Sequence, residues 1–83
     1  MKVYILEEIT VEGPALANSA CLAYATLKGA QAAMQARFDE LVARPCVDMI
    51  DDPTERRCAV SYYDDDTLIT LTIHETDFKV EEA

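Results

Sequence analysis

The sequence predicts a small α+β domain in which one amphipathic helix packs on one face of an antiparallel sheet of three to four strands, in the order β-β-α-β-β. Three observations carry this expectation. From Leu27 to Val42 the apolar residues recur at spacings of three and four, the pattern of a helix with one buried face. Residues 58–63 and 67–75 alternate apolar and polar side chains and are rich in β-branched and aromatic types, the period of half-buried strands. A chain of 83 residues supports one hydrophobic core and not two, so residues 1–83 read as a single domain.

The first strand spans Val3 to Glu12. It puts Val3, Ile5, Ile9 and Val11 on one side and Tyr4, Leu6, Glu8, Thr10 and Glu12 on the other. Glu7 interrupts the more apolar side, and a bulge near Glu7-Glu8 would bring Tyr4 and Leu6 onto the side of Ile9 and Val11, so two registers stay open. Gly13-Pro14 ends the strand. Residues 15–25 are ambiguous, because alanine favours helix while Asn18-Ser19 invites a turn. A loop followed by a short strand from Cys21 to Ala25, hairpinned against the first strand, is preferred over a short helix across 15–24.

Thr26 is the expected N-cap of the helix, whose buried face is Leu27, Ala30, Met34, Phe38, Leu41 and Val42. Arg44-Pro45 ends it, with the basic side chain in the last turn. Cys46 to Arg57 contains Asp51-Asp52-Pro53 and reads as a connecting loop. In Cys58 to Tyr63, Cys58, Val60 and Tyr62 share a face, so Tyr62 points inward and Tyr63 outward. In Thr67 to Glu75, Ile69, Leu71 and Ile73 alternate with Thr70, Thr72 and His74. Asp64-Asp65-Asp66 joins the two through a four- or five-residue turn of type I geometry. The acidic tail from Phe78 to Ala83 frays or extends the last strand. The core is expected to set Met34, Phe38 and Leu41 against Ile5, Val60 and Leu71.

Composition narrows the function. Half of the residues are apolar (51%) and only five are Pro or Gly, which excludes a disordered or collagen-like chain. No apolar run approaches the roughly 18 to 20 residues of a membrane span, and charge enters too early for a signal peptide, so the expected compartment is the cytoplasm. The formal net charge is −9, unevenly spread: −2 over residues 1–26, +1 over 27–47 and −8 over 48–83. Such acidity repels phosphate backbones, disfavours direct nucleic-acid binding and selects a basic protein surface as partner, in a salt-sensitive way.

No motif names an activity. Cys21, Cys46 and Cys58 have no Cys-x-x-Cys spacing, and with His74 as the lone histidine they form neither a metal site nor a disulfide framework; they read as reduced thiols. Asp48, Asp51, Asp52 and Glu55, like Asp64 to Asp66, lack the alternating oxygen ligands and glycine of a calcium loop, and read as solvated acid. His74 has no recognisable nucleophile or orienting carboxylate in sequence, so no catalytic residue, cofactor or metal is expected. The candidate partner-binding residues are Tyr63 with Asp64, Asp65 and Asp66, where an exposed ring is rimmed by carboxylates, together with Glu75, Asp77 and Glu81. The uncharged face of Thr70, Thr72, His74 and Thr76 suits pairing with a second copy, giving a homodimer as the alternative.

Lys2-Val3-Tyr4-Ile5, the run Leu22 to Ala30 leading into the helix, and the closing Thr70 to Glu75 resemble the small acidic orphan proteins of phages, prophages and mobile elements. That class includes anti-CRISPR and anti-restriction inhibitors, which act by steric blocking or by mimicking nucleic-acid charge. The resemblance is one of layout over most of the chain and assigns no functional residue. The resemblance makes an inhibitor one role the class offers, and the −8 of residues 48–83 gives the expectation that the acidic C-terminal half engages a basic, nucleic-acid-handling partner.

Overall fold

The computed structural model describes residues 1–64 and 66–77, with the backbone alone at Leu16 and Ala17. In chain order the elements are β1 (Lys2–Glu12), β2 (Ala15–Tyr24), α1 (Leu27–Val42), β3 (Val47–Asp51), β4 (Arg57–Tyr62) and β5 (Thr67–Asp77). The strands form one sheet in the order β2-β1-β5-β4-β3, every neighbouring pair antiparallel. The α+β class and the single helix agree with expectation; the strand number does not. The expectations for the tail, residues 78–83, fall outside the described residues.

Two segments become strands where loops are expected. Residues 15–24 form one ten-residue strand, not a loop and a short strand, because Gly13 and Pro14 alone connect it to β1. Gly13 makes this turn at φ +57°, a left-handed conformation that glycine adopts without a Cβ penalty. The edge of β1 then pairs residue by residue with the alanine-rich segment, and that pairing outweighs alanine's helical preference. A bulge between Thr10 and Val11 shifts the β1·β2 register near Asn18, where the sequence invites a turn. The other addition is β3, which pairs Val47 with Tyr62 and Asp51 with Ala59 at the sheet edge. Both of its faces are largely exposed, so no inside-outside alternation marks it, and its aspartates suit an edge that must not pair with another chain.

Helix α1 starts where expected. Thr26 has an extended backbone, and its Oγ1 accepts a hydrogen bond from Gly29 N–H at 3.0 Å. It stops at Val42, before Arg44, so no basic side chain lies in the last turn and the expected dipole contribution there is absent. Its buried residues are Ala30, Met34, Phe38 and Leu41, with Leu27 and Val42 packed at the margin. Under them lie Leu6 of β1, Cys58, Val60 and Tyr62 of β4, and Ile69, Leu71 and Ile73 of β5. The inward Tyr62 hydroxyl donates to the Leu41 carbonyl at 2.6 Å, joining β4 to the helix end.

The register of β1 decides which side faces the helix. Against β5 it runs without interruption, pairing Leu6 with Ile73, Glu8 with Leu71 and Thr10 with Ile69, so no bulge forms at Glu7-Glu8 on that side. The even-numbered residues of β1 therefore face the core. Ile5, expected in the core, pairs with His74 on the opposite face, as Val3 pairs with Thr76, Ile9 with Thr70 and Val11 with Leu68. The reason is energetic: β5 has a single strongly apolar side, Ile69-Leu71-Ile73, and strand pairing carries Leu6 to that side with it.

Leu6→Ala is expected to destabilise the fold by about 2 to 4 kcal/mol, because it leaves a cavity under the helix. Ile5→Ala, on the uncovered face, should cost roughly 1 kcal/mol or less in dilute solution. Urea unfolding of the two variants checks this; equal losses would contradict the register.

Candidate functional site

Three connections meet at one end of the sheet. Gly13 N–H, in the β1–β2 turn, donates to the carbonyl of Asp66 at 3.1 Å, and Tyr63 N–H donates to the carbonyl of Cys46, in the α1–β3 connection, at 3.0 Å. Asp66 (φ 55°) and Cys46 (φ 68°) both hold left-handed backbone, which aspartate tolerates better than most residues and cysteine does not favour. Asp64 and Asp48 adjoin Tyr63, which is 67% exposed as expected of an outward ring, while Glu12 and Asp66 flank the Gly13 turn at the same end. The phenol is held above its usual range, first by its hydrogen bond to the Cys46 side chain and further by Asp64 and Asp48.

Beside this end lies an open groove of about 480 Å³, between the C-terminal end of α1 and the part of the sheet beyond it. Glu12, Asp64 and Arg44 stand on its walls and Thr67 lies in its floor. Thr67 is 6% exposed, and its hydroxyl oxygen has no hydrogen-bond partner among the described residues. The far wall is fixed by Arg37, whose guanidinium grips Glu8 through Nε–Oε1 at 2.7 Å and Nη2–Oε2 at 3.0 Å and reaches Glu40 Oε2 at 3.1 Å. The Glu8 hydrogen bonds hold Arg37 firmly charged, above its ordinary value. A second groove of about 290 Å³, between α1 and β2, shares Arg37 and Glu8 and is otherwise mainly apolar, with Leu22 and Tyr24 in its lining.

The expected partner-binding residues do not form one surface. Tyr63, Asp64 and Asp66 cluster; Asp65 and Glu81 lie outside the described residues. Glu75 and Asp77 lie toward the other end of β5, which at about 3.3 Å per residue puts Asp77 roughly 35 Å from Asp66. Asp77 Oδ1 there faces the terminal ammonium of Met1 at 3.5 Å, which offsets its charge. Glu12, Asp48 and Cys46 were not legible as members of the cluster. Glu12 joins it only because β1 pairs it opposite Thr67, and that register is a property of the whole sheet.

The chemistry-bearing side chains are dispersed. His74 is exposed on the helix-free face, with Nε2 at 3.2 Å from Glu7 Oε1, and lines neither groove. The cysteines are free: Cys21 exposed, Cys46 half-buried and Cys58 buried. Among the described residues no group of three or more His, Cys, Asp or Glu side chains is placed to hold a metal ion, and no helix is long and apolar enough to cross a membrane.

Burial, reinforced by Asp51, pushes the Cys58 thiol up to about 11. Folding therefore favours the protonated thiol; its contribution to stability is fully present below the ordinary value near 9 and is lost as pH rises toward 11. Iodoacetamide at mildly alkaline pH should accordingly modify Cys21 and spare Cys58 until the protein is unfolded. Mass spectrometry of the labelled peptides reads the result, and early modification of Cys58 would contradict its placement under the helix.

No protein-family model, no curated protein and no solved structure matches the chain, and what this end of the molecule can do follows from its own residues.

Proposed function

We propose that the protein is a non-enzymatic interaction module that meets a basic surface of a partner protein with the end where Asp48 and Asp64 adjoin Tyr63 and Glu12 and Asp66 flank the neighbouring turn. The observation that carries this reading is the meeting of three separate connections at one end of the sheet, where an exposed ring has Asp48 and Asp64 beside it. A tyrosine in that setting supplies contact area at low entropic cost, and the surrounding acid speeds encounter with a cationic partner and rejects an anionic one. Of the two basic side chains that line the groove, Arg37 is paired with Glu8 and Glu40, and Arg44 stands opposite Glu12 and Asp64, so the local field stays negative.

An inhibitor that occupies the basic groove of a nucleic-acid-handling protein is the specific form of this role. Steric blocking by a compact acidic end fits the geometry better than mimicry of a nucleic-acid strand. Duplex DNA presents one charge per about 1.7 Å of axis, whereas Glu75 and Asp77 stand a strand's length from Asp66 and do not continue its row. The partner is thus expected to contact the Tyr63 end alone.

Affinity capture from a host lysate, repeated at low and high salt, tests the reading. A basic protein should be retained at low salt, released at high salt, and held about tenfold or more weakly by Tyr63→Ala or by Asp64→Lys with Asp66→Lys. Glu75→Lys should leave it bound. Retention indifferent to salt and to all these substitutions would contradict the proposal.

A further inference from the structure

The helix-free face of the sheet has an unusual make-up for a surface. Cross-strand pairing places Ile9, Thr70 and Ala59 in one row, and Val11, Leu68, Ser61 and Met49 in the next. Ile5 beside His74 and Val3 beside Thr76 extend the same face toward the other end. Val3, Ile5, Ile9 and Val11 are half-buried by their neighbours alone, while Leu68 and Met49 are 39% and 62% exposed. Singly exposed apolar side chains are ordinary, but a contiguous β-branched patch over the middle of a sheet marks a contact surface. Antiparallel sheets that face water carry polar residues on that side; here β1, an interior strand beside the central β5, puts its more apolar set there.

Charge says what covers it. The whole chain carries −9, so two copies repel across most of their surfaces. On this face the charged side chains are Arg57, whose Nη1 meets Asp51 Oδ2 at 2.8 Å, and Glu7, whose Oε1 lies 3.2 Å from Nε2 of His74. The remaining side chains of these rows are apolar, hydroxyl-bearing or small. With His74 neutral the face carries one net negative charge, from Glu7 and Asp51 against Arg57, out of the chain's −9, and is where a second copy approaches with the least like-charge opposition. A basic partner gains little here and is drawn instead to the Tyr63 end.

Area agrees. Strands of the observed lengths at about 4.8 Å spacing present a face of roughly 700 Å², near the 800 Å² or so per partner of a standard stable interface. Face-to-face packing of two such twisted sheets at about 10 Å separation interdigitates the outward residues of both, as in a sandwich. A two-fold axis makes the contact self-complementary, setting the row of Ile9 and Thr70 against its own copy.

We infer that the protein forms a homodimer by packing the helix-free faces of two sheets against each other, which leaves both Tyr63 ends free. This assembly does not rest on the interaction proposed for the acidic end, and salt separates the two. High salt screens the repulsion between acidic copies and strengthens the dimer, while it weakens an electrostatic contact with a basic partner.

Sedimentation velocity from low to high micromolar concentration, at low and high salt, tests it. The expected result is a species of twice the 9.2 kDa chain mass, more populated at high salt. Ile9→Glu should shift the midpoint at least tenfold toward monomer with an unchanged far-ultraviolet dichroism spectrum, and Thr72→Lys, which removes no apolar contact within the monomer, should do the same. Tyr63→Ala should leave the dimer intact. A monomer under every condition would overturn the proposal and leave the face to a heterologous partner. A dimer that survives both Ile9→Glu and Thr72→Lys would overturn it too, by assigning assembly to another surface.

Discussion

The packing of Ala30, Met34, Phe38 and Leu41 onto Leu6, Val60, Leu71 and Ile73 sets the rest of the molecule. A sixteen-residue helix is about 24 Å long and about 10 Å wide with its side chains, while the two longest strands reach roughly 36 Å and the sheet is five strands across. One such helix covers the middle of one face. It leaves the edge strands β2 and β3 thinly covered, opens grooves at its end and along its flank, and leaves the opposite face without a layer. Full burial of a Leu, Met or Phe side chain is worth about 1.5 to 3 kcal/mol, so the covered face provides most of the hydrophobic stabilisation.

Two surfaces of different chemistry result from that asymmetry. The end where the β1–β2 turn, the α1–β3 connection and the β4–β5 turn meet collects carboxylates and an exposed tyrosine, because tight connections there use aspartate and place it in solvent. The uncovered face collects β-branched residues, because the strands that build the core must alternate and β1 is apolar on both sides. Arg37 ties the helix to β1 on the covered face. By gripping Glu8 it lets an acidic residue occupy the helix side of β1 at the margin of the core, where an unpaired carboxylate would be costly.

The sequence made the helix, its cap and the last hairpin legible, since each is a local pattern. Thr26 precedes a regular run of apolar residues, and Cys58-Val60-Tyr62 and Ile69-Leu71-Ile73 have polar neighbours between them. What it hid depends on pairing. Residues 15–24 and 47–51 gain their strand conformation from a neighbouring edge, and among their described side chains Tyr24 and Val47 pack against the core. The choice between Ile5 and Leu6 as the core residue of β1 is invisible locally, because both sides of that strand are apolar; β5 makes the choice. The acidic cluster was half legible: Tyr63 and the aspartates beside it are contiguous, but Glu12 and Asp48 arrive through register, and Glu75 and Asp77 leave through the length of β5.

The outward placement of Ile5, Ile9 and Val11 beneath no helix is the claim on which both surfaces depend. Methyl relaxation enhancement by a soluble gadolinium complex, recorded at low micromolar concentration, measures it residue by residue. The methyl signals of Val3, Ile5, Ile9 and Val11 should be strongly attenuated, while those of Leu6, Leu41, Leu71 and Ile73 persist. Attenuation of Leu6 with protection of Ile5 and Ile9 would mean that β1 faces the helix with its other side, and would contradict the account.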